Sequence, residues 1–179
     1  MLFRSTGDEE FNYFLSVIFP DNDLYVMDYN RVVADLFGNS FDEFMNKVSE
    51  KFDITIFDGI GQFKPEVQRT YGMFLEGKWY KLEAKEGTFN LNDPVERLDV
   101  SILQKNLLDP ILGIDDPTTN SRVDFVGGIR GLGELERRVK CDMKVAFSMC
   151  PTTMDDLIDI ANAGDRKSTR LNSSHNSNL

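Results

Sequence analysis

Two residues, Glu76 and Gly77, separate the β-prone runs Arg69–Leu75 and Lys78–Ala84. So short a connection joins strands only when they run antiparallel, because a parallel pair needs a crossover of about a dozen residues or more. The chain is therefore committed to a hairpin near its middle. That hairpin carries its only tryptophan, Trp79, and every other element must be arranged around an antiparallel ribbon.

Upstream, Asn12–Phe19 and Leu24–Val33 are two further β-prone runs, separated by the turn formers Pro20-Asp21-Asn22-Asp23, and predict a second hairpin. Ser40 followed by Glu43 is a capping box. Phe41, Phe44, Met45, Val48 and Phe52 then recur at helical spacing, which predicts a helix with an apolar face. Phe52–Phe57 alternates as a strand does, ended by Asp58-Gly59-Ile60-Gly61.

Downstream, Asp93 is placed to cap a helix opening at Pro94 and closed by Pro110 and Gly113, with Val95, Leu98, Ile102 and Leu103 on one face. Arg122–Val126 predicts a strand, Gly127–Gly133 a glycine-rich turn, Glu134–Lys140 a helix and Met143–Met149 a strand. A last helix follows Pro151-Thr152-Thr153, with Met154, Leu157, Ile158 and Ala161 as its apolar stripe and Gly164 at its C′ position. The fold class expected is α+β: residues 1–92 β-rich with hairpins and one helix, and residues 93–164 a mixed β-α-β-α part of the same domain.

The 179 residues include 30 acidic and 20 basic ones, net charge -10. That balance is the opposite of what a phosphate backbone or an anionic membrane selects, so neither nucleic acid nor membrane is expected as a partner. The run Tyr13–Pro20 is too short to span a bilayer and follows acidic residues, which predicts a cytoplasmic protein. Cys141 and Cys150 form no metal-ligand spacing and read as reduced thiols. From Asp165 the composition turns polar without periodicity, and Asp165–His175 reads as an in-frame translation of a common sequencing adapter. Residues 165–179 are thus expected to be an artefactual, disordered tail. The only histidine, His175, lies within it, so Met1–Gly164 has no histidine for a Ser-His-Asp triad, a Cys-His pair or a histidine-ligated zinc.

Within that stretch Asp99 is the candidate catalytic residue, because on a helical wheel it falls inside the apolar arc of Val95, Leu98, Ile102 and Leu103. An inward carboxylate has to be paired, so it faces either a ligand cleft or a structural partner such as a backbone N–H, Arg31 or Arg130. Candidate ligand-binding residues are Asn30 and Arg31, which would offer a guanidinium fork to a carboxylate or phosphate, the alternative being a solvated charge at a strand edge. Gly127, Gly128 and Arg130 join them, in a turn between strand and helix that would cradle an anion or serve only as a tight turn. Asp115 and Asp116 are weaker candidates for holding a divalent cation with a substrate phosphate, the alternative being a surface turn.

Several stretches taken in order resemble the bacterial and archaeal family called domain of unknown function 1015. They are Asn12-Tyr13-Phe14-Leu15, Phe19-Pro20, Asp28–Val33, Gly77-Lys78-Trp79-Tyr80, Glu96–Gln104, Ile111–Pro117, Asp124–Leu132, Val145-Ala146-Phe147 and Pro151-Thr152-Thr153. Members of that family are longer, so the resemblance implies that the chain is a later part of one, with its start and extreme C-terminus missing. It also implies an upstream Asp-Gly-His-His-Arg motif like that of the ParB and serine-kinase superfamily, absent from this sequence. Two functions follow as expectations. The full-length protein would be a nucleotide-dependent small-molecule enzyme, a phosphotransferase for example, to which this chain supplies a supporting lobe. Alternatively it is a non-catalytic ligand-binding or interaction module. The residues single out no cofactor and no oligomeric state.

Overall fold

The computed structural model describes residues 15–20 and 23–163. The expectations for Asn12–Phe14 and for the tail 165–179 fall outside them.

The described residues form the expected α+β arrangement around a single sheet. Its strands are β1 (Tyr29–Val33), β2 (Phe52–Ile56), β3 (Thr70–Leu75), β4 (Lys78–Ala84), β5 (Val123–Gly127) and β6 (Val145–Met149). They lie in the order β2-β4-β3-β6-β1-β5, every neighbouring pair antiparallel. The β3–β4 hairpin forms across Glu76 and Gly77, both at positive φ (50° and 78°), as a two-residue turn of matching twist requires.

The upstream hairpin does not form among the described residues. Residues 15–20 and 24–28 carry no strand, and β1 pairs instead with β5 and β6, 90 to 116 positions away. The reason is burial: a strand inserted between β6 and β5 seals Val32 and Val33 completely, whereas Leu15 and Ile18 remain about nine-tenths exposed.

Alternation along the strands gives the sheet two apolar faces. On one, Val33, Tyr71, Met73, Leu75, Leu82, Phe147 and Met149 meet helix α1 (Phe41–Lys51) and the segment beginning at helix α2 (Asp99–Leu103). The Ser40 capping box is present, and Phe44 and Val48 are fully buried. On the other face Val32, Phe74, Trp79, Val126 and Ala146 meet Leu135 of helix α3 (Gly133–Cys141), and Trp79 donates its indole N–H to Glu136. The β-α-β-α order of the second half is as expected.

Two helices differ from expectation. Asp93 does accept hydrogen bonds from Val95 N and Glu96 N, but residues 91–98 form turns, Leu98 is extended (ψ 140°), and α2 starts only at Asp99. It then widens into a π-helical turn over Gln104–Leu108. Helix α4 (Met154–Asn162) is capped by Thr153, yet the side it buries carries Asp156 and Ile160, while Ile158 and Ala161 face solvent. Asp156 is held on that side by Gln68 and Arg97 from other segments.

Candidate functional site

The sheet end at which β3 begins and β4 finishes carries an open cleft of about 640 Å3, lined among others by Arg69, Glu86, Gly87, Phe89, Asn90 and Asn92. Arg69 stands at the mouth of the hairpin. Its carbonyl accepts from Ala84 N (2.9 Å), continuing the ladder, but its φ is +66°, a conformation that costs a non-glycine residue on the order of 1 kcal/mol or more. What holds it there is Asp99: the Arg69 backbone N–H donates to Asp99 Oδ1 at 2.7 Å. The guanidinium lies 5.5 Å from the centroid of the Phe89 ring. Among the described residues no carboxylate oxygen is within salt-bridge distance of it.

Asp99 points inward as expected, although Val95 and Leu98 of its predicted arc lie outside α2, and is 9 % exposed. Its Oδ2 is buried with no hydrogen-bond partner among the described residues. Loss of water around the carboxylate raises its pKa from 3.8 to about 7, against the opposing pull of the Arg69 N–H and side-chain charge, with the neighbouring Asp156 adding a further rise. Tyr71, whose hydroxyl donates to the Asp99 carbonyl at 3.0 Å, has its phenol pushed up by burial and then by the Asp99 charge.

The far wall of the cleft is tied down by the π turn. Buried Asn106 donates to Thr88 O and to Ile102 O, each at 3.0 Å, stitching the cleft loop to the helix that carries Asp99. Neither Arg69 nor Asn106 was legible as a site residue. A positive φ at arginine has no sequence signature, and the π turn, a feature often found at functional sites, looks in sequence like ordinary helix.

The other candidates lie elsewhere. Asn30 is completely buried and structural in its contacts: its Nδ2 donates to Asp28 Oδ2 (2.7 Å), and its Oδ1 accepts from Met149 N (3.1 Å). Arg31 lies beside the Tyr29 and Phe125 rings. Gly127 and Gly128 meet this corner through the β1–β5 pairing. Gly128 donates its N–H to Asp28 O (2.8 Å), and a side-chain carbon on it would collide with Asp28 Oδ1, which explains the glycine and puts a carboxylate over the turn. Arg130 is exposed, with its charge felt by Glu134. Asp115 and Asp116 are exposed in a turn in which Asp116 Oδ1 accepts from the Thr118 N–H and hydroxyl. Among the described residues no group of three or more His, Cys, Asp or Glu is arranged to hold a metal ion. Asp99 is therefore brought to Arg69 and not to Arg31, Arg130 or the glycine turn, although Cys150, whose thiol is pushed up first by burial, feels the charges of both Asp99 and Asp28.

Among the described residues no helix is long and apolar enough to cross a membrane. A family model described as "Protein of unknown function (DUF1015)" matches residues 3–101, a stretch that takes in the hairpin, Arg69 and Asp99. No curated protein and no solved structure matches the chain.

Proposed function

The chain belongs to the DUF1015 family, and from that premise we propose that it is a ligand-binding lobe whose cleft takes the oxyanion of a small molecule on Arg69. The observation that carries this is a guanidinium without a carboxylate partner among the described residues, lining a cleft from a strained backbone position that a buried carboxylate holds in place. Strain kept by a specific partner is characteristic of functional positions. In an acidic chain a ligand anion gains only from a cation presented locally, since charges more than about 8–10 Å away are largely screened. Phe89 gives the flat face on which the guanidinium rests, and Asn90 and Asn92 add amides at the rim. Asp99 acts through Arg69 and is a positioning residue in this reading.

Titrating the full chain with inorganic pyrophosphate and with citrate by calorimetry tests it. Saturable binding of at least one probe is expected, weakened tenfold or more (about 1.4 kcal/mol) in Arg69→Met. Absence of saturable binding, or equal affinity in a folded Arg69→Met protein, rules the reading out.

The nucleotide-dependent enzyme remains a second reading, favoured by the raised pKa of Asp99, since a carboxyl that titrates near neutrality suits general acid–base work. It calls for an activity that Asp99→Asn abolishes while binding through Arg69 persists.

A further inference from the structure

A second guanidinium, on another strand and independent of the Arg69 cleft, is placed to receive an anion: we propose that Arg31, set against Tyr29 and Phe125, is a separate docking point for an oxyanion presented edge-on, a carboxylate or a phosphate.

Arg31 is a β1 residue whose cross-strand neighbours are Phe147 on β6 and Phe125 on β5. Its guanidinium carbon lies 4.3 Å from the centroid of Phe125 and 5.0 Å from that of Tyr29. The two rings stack at 5.2 Å with 18° between their planes. One guanidinium nitrogen donates to Tyr29 O at 2.5 Å. Among the described residues no carboxylate oxygen is within salt-bridge distance of Arg31, although the chain carries 30 acidic side chains. Burial strips water from the cation, and the pKa falls to about 10 for that reason. Rings offset part of the lost hydration through their negative faces, but only an anion replaces it in full. With its flat side against rings and one nitrogen on Tyr29 O, the half-buried guanidinium would meet a ligand through its remaining N–H groups, which match the paired oxygens of a carboxylate or phosphate. The rings also explain why arginine rather than lysine stands here, since an ammonium has no planar face to stack.

The test uses the full chain with benzoate and inorganic phosphate as probes, following the Arg31 Nε–Hε signal by NMR, assigned by its loss in Arg31→Lys, and affinity by calorimetry. The result expected is a saturable shift of that signal with one or both probes, persisting in Arg69→Met, and at least tenfold weaker calorimetric binding when Arg31→Lys is added to Arg69→Met, a background in which the other anion site is removed. A response to benzoate alone marks a carboxylate ligand, and one to phosphate alone a phosphoryl group. No saturable shift up to about 50 mM of either probe, or affinity unchanged in Arg31→Lys, overturns the proposal. Should Arg31→Lys fail to fold, Phe125→Leu serves: it keeps the cation and removes a ring, and unaltered affinity there overturns the proposal equally. Because Arg69→Met is the control, failure here leaves the Arg69 cleft untouched, and the reverse holds as well.

Discussion

Asp99 and Asp156 are close enough for their charges to interact and are almost equally withdrawn from water, 9 % and 7 % exposed, yet they keep opposite company. Asp156 is fully dressed. Its Oδ2 accepts from the Thr153 hydroxyl (2.7 Å), the Thr153 N–H (3.4 Å) and Gln68 Nε2 (2.9 Å), and its Oδ1 pairs with Arg97 (3.2 Å), which also holds Asp159. Asp99 has one backbone N–H on one oxygen and nothing on the other. Burial by itself therefore does not make a carboxylate unusual. What separates a structural pin from a group held near its titration point is how many donors meet the charge that burial has stripped of water.

That contrast can be broken experimentally. The largest effect should come from Asp156→Ala, which at one stroke removes the α4 capping box and strands Gln68 and part of Arg97. A loss of about 3–5 kcal/mol in urea unfolding is expected, and a loss below about 1 kcal/mol would show that α4 is held by its apolar residues instead.

Next is the pH dependence of Asp99. Its folded pKa is raised from 3.8 to about 7, so between those values the folded protein holds a proton that the unfolded chain has released. The stability contribution of this group is therefore fully present below the unfolded value and is lost as pH rises toward the folded one. Asparagine keeps the acceptor for Arg69 N and cannot ionise. The difference in stability between Asp99→Asn and the native sequence should accordingly shift in the variant's favour by about 3 kcal/mol from about pH 4 to about pH 7. Taking the difference isolates Asp99 from carboxylates such as Asp35, whose bond to Arg122 lowers its pKa and acts in the opposite sense. Parallel pH curves for the two proteins would mean that Asp99 stays ionised throughout.

The smallest effect is expected at Arg69→Gly. Glycine adopts the +66° φ without strain but adds freedom to the unfolded chain, so the two terms nearly cancel and stability should change by less than about 1 kcal/mol. A larger loss in thermal unfolding would mean that the Arg69 side chain, stacked on Phe89, supports the fold as well as the cleft.

The parts of this molecule legible in the sequence are those governed by neighbours along the chain. Ser40 and Glu43 close their capping box, Thr153 caps α4, Glu76-Gly77 turns the hairpin, and Asp99 faces inward with Ile102 and Leu103, the members of its predicted arc that lie on α2. The site was only half legible. Asp99 could be picked out as a misplaced carboxylate, but its partner could not, because Arg69 lies thirty residues away and meets it through a backbone N–H that any residue type would supply.

What the sequence by itself determined, then, is the set of local elements and the identity of the odd residue among them: the antiparallel hairpin, the capped helices, the β-α-β-α order of the second half and the inward turn of Asp99. Their causes act over a few residues, through turn dihedrals, cap hydrogen bonds and side-chain periodicity. Only the tertiary structure decided that β1 inserts between β6 and β5 rather than pairing with the run before it, that α4 buries Asp156 instead of Ile158, and that Asp99 serves Arg69 rather than Arg31. Each of these outcomes is a competition between alternative ways of sealing apolar surface and satisfying buried polar groups. The winner depends on residues that meet only when the whole sheet has closed.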